Sequence, residues 1–301
     1  MNKKTKFSSI KPKERLPNWI HFPKMSVSSI ENVQKLIKQN NIHTICEEGR
    51  CPNRNECYAS GTASFLLGGS ICTRSCAFCQ VNKGVPSLLD DSESQKVANS
   101  IKTLKLKYVV LTSVARDDLK DHGASLFVKT IKEIRKISPD VKIEILIPDF
   151  WGGSSEEKEK IILQKQRLEQ VLRENPVCLN HNLETVERLQ RKVRQGANYI
   201  NSIRLLDTAR KISPYIPTKS GLMLGLGETY NEIISTLKDL KEVGCKEITI
   251  GQYLRPSLSH LPVEKYWTIQ EFKKIKKECI KLGFNKVMSG PLVRSSYHAG
   301  G

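Results

Sequence analysis

The spacing of hydrophobic and polar positions switches repeatedly between two periods after about residue 60. Short runs of β-branched, aromatic and other apolar residues predict strands, and the amphipathic stretches between them predict helices. The predicted strands are residues 62–68, 107–113, 141–148, 176–182, 198–206, 220–226 and 247–253. The predicted helices are residues 91–105, 124–137, 156–174, 184–194, 230–243 and 269–282. This alternation predicts an α/β fold, namely a complete or partial TIM-type β/α barrel around a parallel sheet.

Polar residues collect where the predicted strands end. The clusters are Thr112-Ser113 with Arg116-Asp117, Pro148-Asp149, Asn180-His181-Asn182 and Gln252-Tyr253. In parallel barrels the carboxyl ends of the strands carry the functional site. We therefore expect these clusters to meet at one end of the barrel.

Composition limits the classes of partner. The 301 residues carry a formal net charge of +18, with Lys and Arg spread along the whole chain. An acidic partner surface or a general lysine bias explains such a charge better than a single nucleic-acid stripe. No stretch has the length of a membrane span, and no signal segment opens the chain. We expect a cytoplasmic protein with no nucleic-acid or membrane partner, whose basic residues 1–15 form a solvated start.

Cysteine usage points to metal. Six of the nine cysteines fall between positions 46 and 79, whereas Cys178, Cys245 and Cys279 lie scattered in apolar or helical contexts. In a reducing compartment such a cluster favours metal binding over disulfides. The three scattered residues are typical of buried small hydrophobes.

The six clustered cysteines form two triplets. The first triplet is Cys46, Cys51 and Cys57, and the second is Cys72, Cys76 and Cys79. A structural zinc site needs a fourth ligand, which neither triplet has nearby unless His43 serves the first. Three thiolates from one loop can instead hold three corners of a [4Fe–4S] cluster and leave one iron open to substrate. The second triplet follows the first predicted barrel strand, so it would lie at the barrel's functional end.

The second triplet resembles the signature of the radical S-adenosylmethionine (SAM) superfamily, with Phe78 as the aromatic residue before the last cysteine. Together with the first triplet, the chain resembles the lipoyl synthase family over roughly residues 14–301. The matching blocks are "EEGRCPNRNEC", "GTASFLLGGSICTRSCAFC", "TSVARDDLKDHGA", "IPDF", "NHNLETV", "PTKSGLMLGLGET", "GQYLRPSLSHLPVEKYW" and "GPLVRSSYHAG".

The resemblance implies an activity. It is the insertion of two sulfur atoms at C6 and C8 of a protein-bound octanoyl-lysine group, with S-adenosylmethionine and two [4Fe–4S] clusters as cofactors. Each insertion would begin with hydrogen abstraction by a 5′-deoxyadenosyl radical, and an auxiliary cluster would donate the sulfur. The implied partners are octanoylated carrier domains (2-oxoacid dehydrogenase E2 subunits and the glycine cleavage H protein), reduced ferredoxin or flavodoxin, and cluster-assembly proteins.

The resemblance also implies roles for particular residues. Cys72, Cys76 and Cys79 would hold the radical-generating cluster. Cys46, Cys51 and Cys57 would hold the auxiliary cluster together with Ser296, or its neighbour Ser295, of the "RSSY" motif. A serine oxygen is a poorly matched ligand for such a cluster, which would help that cluster to surrender sulfur. Because the chain ends soon after this motif, the serine could fray when no cluster is bound.

Further residues are candidates for binding S-adenosylmethionine. Phe78 would shield the cluster, Asn182 and Glu184 could hydrogen-bond the methionine moiety or the ribose, and Lys219 or Arg204 could pair with the carboxylate. Thr112, Arg116 and Asp117 stand at a strand end without an assigned atom. The resemblance divides the chain into an N-terminal extension (1–60), a barrel (61–285) and a C-terminal extension (286–301), with the two extensions holding the auxiliary cluster. The role of the charged stretch 152–168 stays open.

Two other functions remain as alternatives. A biotin-forming or transfer-RNA-methylthiolating radical enzyme would share the second triplet, but the latter would carry a separate N-terminal cysteine domain and a C-terminal nucleic-acid-binding module. A non-enzymatic iron–sulfur or zinc module would have closed four-ligand sites and no response to S-adenosylmethionine. Neither pattern is evident in the sequence.

Overall fold

The computed structural model describes residues 16–21, 28–60, 62–297 and 299–300. The predicted solvated start, residues 1–15, lies outside the described residues. The strands are β1 His43–Thr44, β2 Ala63–Leu67, β3 Ile71–Cys72, β4 Asn82–Lys83, β5 Tyr108–Ser113, β6 Lys142–Leu146, β7 Cys178–Asn180, β8 Thr218–Leu224, β9 Glu247–Gln252 and β10 Lys286–Ser289. The helices are α1 Ser28–Gln39, α2 Ile45–Glu48, α3 Arg54–Ala59, α4 Glu93–Thr103, α5 Ala124–Ile137, α6 Glu157–Leu172, α7 Gln190–Val193, α8 Tyr199–Ile212, α9 Tyr230–Glu242 and α10 Ile269–Lys281, with a 3₁₀ turn at Glu187–Leu189.

Eight strands form one sheet in the order β1-β2-β5-β6-β7-β8-β9-β10. The strand β1 pairs antiparallel with β2, and the other neighbours are all parallel. In the described part of the chain the order runs from β1 to β10 without closing, which confirms the predicted α/β fold with a partial barrel. The short strands β3 and β4 form a separate ribbon beside it.

The register aligns the carboxyl ends of the strands. Ser113 pairs with Leu67, and Leu146 pairs with both Thr112 and Asn180. The polar clusters that follow these strands therefore begin at one edge of the sheet, as predicted.

Apolar periodicity explains how the helices cover the sheet. In α5 the buried residues Phe127, Ile131 and Ile134 recur every three or four positions, so one face packs inward. The central strands are largely buried, as in β2, where all five residues are buried, and in β9, where five of six are. Such continuous burial is typical of a parallel sheet with covered faces.

Three expectations need correction. Residues 198–206 form the start of α8 rather than a strand, because Asn198 caps a helix and Leu205 and Ala209 continue its buried face. The predicted helix 184–194 is only the 3₁₀ turn and the four-residue α7. The strand β10 was not predicted, and it continues the sheet past residue 285.

No helix among the described residues has the length and apolar character that crossing a membrane requires.

Candidate active site

A cavity of about 1080 Å³ opens at the carboxyl ends of the strands. Both cysteine triplets and both candidate serines line it: Cys46, Cys51, Cys57, Cys72, Cys76, Cys79, Ser295 and Ser296. All of these cysteines are free. The fold thus brings the two triplets and the C-terminal motif to one space, as the sequence analysis requires of a two-cluster site.

Backbone contacts hold the loop of the second triplet. The Thr73 N–H donates to Ala115 O (3.0 Å), and the Ala77 N–H donates to Val193 O (2.9 Å). The Cys72 Sγ accepts backbone N–H groups from Arg74 (3.4 Å) and Ala115 (3.3 Å). Two backbone amides thus fix the position of the Cys72 sulfur.

Short helices hold the first triplet. The Thr44 side chain accepts the Glu47 N–H at the start of α2 and lies 2.8 Å from the Tyr58 hydroxyl of α3. The Cys51 N–H donates to Cys46 O (3.0 Å). The buried Tyr58 therefore joins the two helices that carry the outer cysteines of this triplet.

Burial makes most of these thiols weak acids. It raises the pKa of Cys46, Cys57 and Cys79 to about 12, and it raises the pKa of Cys51 and Cys76 as well. The thiols therefore keep their protons at neutral pH.

The C-terminal tail is fixed by contacts that need no cluster. The Asn53 side chain donates to Leu292 O (2.6 Å), and the Tyr297 hydroxyl donates to Glu56 Oε1 (3.0 Å). A Cβ atom on Gly251 of β9 would lie 2.0 Å from Val293 O, so only glycine permits this approach. These contacts hold "RSSY" between the first triplet and the sheet, and they argue against the expected fraying.

Another part of the cavity wall carries predicted polar residues. The Asn182 Nδ2 donates to Glu184 Oε1 (3.0 Å), while the buried Asn182 Oδ1 has no hydrogen-bond partner. A Cβ atom on Gly221 would lie 2.7 Å from that oxygen, so only glycine lets the Asn182 side chain pack this closely against β8. Burial raises the pKa of Glu184 despite the nearby Arg194 guanidinium. Thr112 also lines this wall, and its hydroxyl donates to Leu146 O (2.9 Å).

Lys219 and Arg204, the two predicted carboxylate partners, do not reach the cavity. The Lys219 Nζ lies 2.9 Å from Glu144 Oε1 in a buried ion pair inside the barrel. Arg204 projects from α8, where its guanidinium lies 5.7 Å from the Trp151 ring centre and 3.8 Å from Glu157. Hydrophobic periodicity could not show that neither side chain reaches the cavity. Arg204 was, in addition, assigned to a predicted strand, whereas it lies on helix α8.

Arg194, which was not predicted, also lines this wall. Arg194 is 7 % exposed, and its Nη1 donates to Leu183 O (3.3 Å) and Ser202 Oγ (3.1 Å). Among the hydrogen bonds of the described residues, none uses its Nε or Nη2. Its positive charge lowers the pKa of Cys76, although burial of that thiol dominates. Several Lys and Arg residues surround it in sequence, so nothing singled it out.

Arg116 and Asp117 lie behind the cavity. Arg116 is buried and donates to the Asp118 carboxylate and to Gly68 O. Asp117 pairs with Arg74 (2.7 Å), whose guanidinium also lies 2.7 Å from Asp149. Both Arg74 and Asp149 line the cavity, whereas Asp117 does not. Asp117 is therefore connected to the cavity through its ion pair with Arg74.

The stretch 152–168 contributes to a different space. Gly152, Gly153, Leu163 and Arg167 line a polar cleft of about 830 Å³ on the outer side of the Arg74 loop. None of them lines the large cavity.

Comparisons with known proteins define the class first. Residues 66–240 match the radical SAM superfamily. Among solved structures, methylornithine synthase (PylB) superposes with a TM-score of 0.52 at 15 % identity, covering 87 % of this chain and 84 % of that one. SuiB of Streptococcus suis, bound to S-adenosylmethionine, gives a TM-score of 0.54 at 11 % identity, covering 78 % of this chain and 54 % of that one. The class is that of a radical SAM protein.

Similar sequences narrow the family. "Lipoyl synthase 2" of Prochlorococcus marinus subsp. pastoris is 66 % identical over 95 % of this chain and 96 % of its own. "Lipoyl synthase 2" of Nostoc sp. is 55 % identical over 95 % of this chain and 94 % of its own. "Lipoyl synthase" of Buchnera aphidicola is 50 % identical over 94 % and 87 %. The chain belongs to the lipoyl synthase family.

Proposed function

We infer that the chain is a lipoyl synthase, which inserts sulfur at C6 and C8 of an octanoyl-lysine group on a carrier protein. The observation that carries this inference is the single cavity lined by two cysteine triplets and the C-terminal serine motif. Family membership supports the same activity.

The residues fit two [4Fe–4S] clusters and S-adenosylmethionine. In the described part of the chain, no group of three or more His, Cys, Asp or Glu side chains could hold a single metal ion. Each triplet has three free thiols and leaves one further position, which suits a cube with one corner available. The unpartnered Asn182 Oδ1 and the cavity of about 1080 Å³ that Asn182 lines fit a polar ligand of the size class of S-adenosylmethionine.

When bound, the cofactors supply a 5′-deoxyadenosyl radical at the second triplet and a source of sulfur at the first. The chain's own residues position and enclose them. Cys72, Cys76 and Cys79 would hold three corners of one cluster. The half-buried Phe78 packs against the core and covers that side of the loop, which excludes water.

Arg194 takes the role that the sequence had suggested for Lys219 or Arg204. Its free donors face a wall shared with Cys76 and Glu184, and a guanidinium suits a carboxylate such as that of the methionyl group. Asn182 would offer its oxygen to an ammonium or hydroxyl donor, and Glu184 would accept hydroxyl protons. Thr112 would border the same ligand.

Cys46, Cys51 and Cys57 would hold the auxiliary cluster, with Ser296 or Ser295 at its fourth corner. The tail contacts of Asn53 and Tyr297 keep both serines at the cavity. Because those contacts do not depend on the serine, the cluster could lose its serine ligand while the tail stays in place. In this proposal residues 1–60 and the chain after β10 form the auxiliary site, and β10 belongs with the barrel.

The proposed partners are octanoylated E2 and H-protein carriers, reduced ferredoxin or flavodoxin, and cluster-assembly proteins. Nine free thiols suit a reducing compartment, which supports a cytoplasmic location.

Anaerobic reconstitution tests the function. We expect about eight irons per chain and, with dithionite, S-adenosylmethionine and an octanoyl-lysine peptide, a mono-thiolated intermediate followed by lipoyl peptide. A variant with Cys46→Ala, Cys51→Ala and Cys57→Ala should keep about four irons and still form 5′-deoxyadenosine, but no thiolated peptide. Thiolated peptide from this triple variant would overturn the assignment of the first triplet.

A further inference from the structure

The mouth of the cavity carries an exposed loop that the proposed chemistry does not use. This rim loop, residues 254–261, presents Leu258 with 76 % of its surface exposed. Leu258 and Arg255 nevertheless line the cavity, so the loop stands at its opening. An isolated exposed leucine needs no explanation, but one on a braced loop beside an active site does.

The rim loop is held in one shape. Arg255 donates from Nε to His260 O (2.9 Å) and from Nη2 to Leu258 O. The Tyr253 hydroxyl donates to Leu261 O (2.8 Å). Leu258 is therefore presented on a preformed support, which reduces the entropy that a partner must spend to bind it.

The base of the rim loop contacts the second triplet directly. His260 Nε2 lies 3.0 Å from Cys79 O, and because a carbonyl only accepts, this nitrogen carries the proton. In the neutral ring Nδ1 then accepts from the Ser257 hydroxyl at 2.8 Å. The rim loop and the loop of the second triplet thus form one connected unit.

Charge at the opening favours an acidic partner. The exposed residues that line the cavity, in the part of the chain that the structure describes, are Leu16, Arg50, Arg255, Ser257 and Leu258. They include two cations and no carboxylate. A partner that rests on this rim would need acidic side chains around an apolar contact.

We propose that the rim loop is the docking element for the octanoylated carrier domain, with Leu258 as its apolar anchor. The inference rests on the proposed function, since a protein-bound acyl-lysine can enter the cavity only if the surrounding domain sits on the rim. The chemistry of the rim selects a folded domain that presents its modified lysine among carboxylates.

The test compares an intact carrier with a free peptide. We would measure the Kd of octanoylated glycine cleavage H protein by calorimetry, and KM and kcat for this carrier and for an octanoyl-lysine tripeptide. Leu258→Ser should raise Kd and KM for the carrier about tenfold and leave the KM of the tripeptide within about twofold. The carrier's KM should also rise with salt more steeply than that of the tripeptide.

Leu88→Ser is the matched control, because Leu88 is 96 % exposed and does not line the cavity. It should leave both substrates unaffected. An equal rise for carrier and tripeptide in Leu258→Ser would overturn docking, since Leu258 would then shape the cavity itself. An unchanged carrier Kd would overturn it too. If wild type turned over neither substrate, the proposed function would fail, while the carrier Kd of the two variants would still decide docking.

Discussion

At the scale of single residues, Arg194 and its neighbours in the cavity wall determine which ligand groups can bind there. Its guanidinium is anchored through Nη1, and its remaining donors are available beside Cys76 and Glu184. A fixed cation at this place can orient a bound carboxylate and balance the charge of Glu184.

Arg194→Ala should weaken S-adenosylmethionine binding about 10- to 100-fold, because charge-assisted hydrogen bonds are lost. Arg204→Ala, which removes a cation on α8, should change it less than about twofold, since Arg204 does not line the cavity. Equilibrium dialysis of the reconstituted protein with labelled S-adenosylmethionine measures both. Equal losses in the two variants would contradict our placement of the carboxylate partner.

His181 should make folding stability sensitive to mild acid. Burial, with help from the Arg194 charge, lowers the pKa of His181 to about 4, so the folded state keeps the ring neutral. The ring accordingly contributes stability that is fully present above the unfolded pKa of about 6.5 and is lost as the pH falls from there toward 4.

Between pH 7 and pH 5 the protonation of His181 in the unfolded state should lower the unfolding free energy by about 2 kcal/mol. Urea unfolding of the cluster-free chain at the two pH values measures it. His181→Gln cannot take up this proton, so its unfolding free energy should change less over the same interval. Identical pH dependence in the two proteins would show that His181 does not titrate as described.

At the residue scale, sequence reasoning succeeded where chemistry is local and failed where it depends on the fold. The spacing of six cysteines in two short segments is visible in the sequence, and the structure brings both triplets to one cavity. Lys219 looked like a free cation, but strand β6, which lies two strands away in the sheet, places Glu144 2.9 Å from it. An ion pair between side chains of different strands cannot be predicted from the sequence of one strand.

Among the elements, the C-terminal tail is the part that completes the site. It follows β10, runs past Gly251 and is tied to the first triplet by Asn53 and Tyr297. The amides of Val293 and Tyr297 donate to Gly290 O and Arg294 O, so the tail also has internal turns. An arm with these contacts can hold its serines ready before a cluster assembles.

Asn53→Ala should loosen the tail in the cluster-free chain, because it removes the donor to Leu292 O from a residue that is 1 % exposed. Hydrogen exchange of residues 291–297 should accelerate about tenfold, as expected for a buried hydrogen bond. Mass spectrometry after exchange measures it. Asn99→Ala, on the exposed face of α4, is the control and should leave these amides unchanged. Unaltered exchange in Asn53→Ala would mean that the tail is held by other contacts.

The prediction of helices and strands was accurate where a clear hydrophobic periodicity extended over many residues. Helix α5 was predicted with the bounds 124–137 that the structure gives. Residues 198–206 were misassigned because Tyr199, Ile200 and Ile203 favour strands locally, while the Asn198 cap and the contacts of Leu205 and Leu206 select a helix. The strand β10 is four half-buried residues with no alternating pattern, so only its pairing with β9 reveals it.

The whole molecule is a partial barrel whose opening is completed by segments from both ends of the chain. The sheet starts at β1 beside the first triplet and stops at β10 just before the tail, so both edges lead into the cavity. The chain carries a net charge of +18, and within its described part the exposed residues that line the cavity are cationic or neutral. This arrangement suits an acidic carrier that delivers its acyl chain from outside.

We propose that the first triplet holds a cluster that is consumed as the sulfur source. The most direct measurement is a single turnover of protein whose two clusters were reconstituted with heavy-isotope sulfide, with unlabelled sulfide present in solution. Mass spectrometry of the thiolated octanoyl-lysine peptide then reports the origin of its sulfur. We expect heavy sulfur in the product, with loss of the cluster at Cys46, Cys51 and Cys57. Unlabelled sulfur in the product, with both clusters intact, would contradict it.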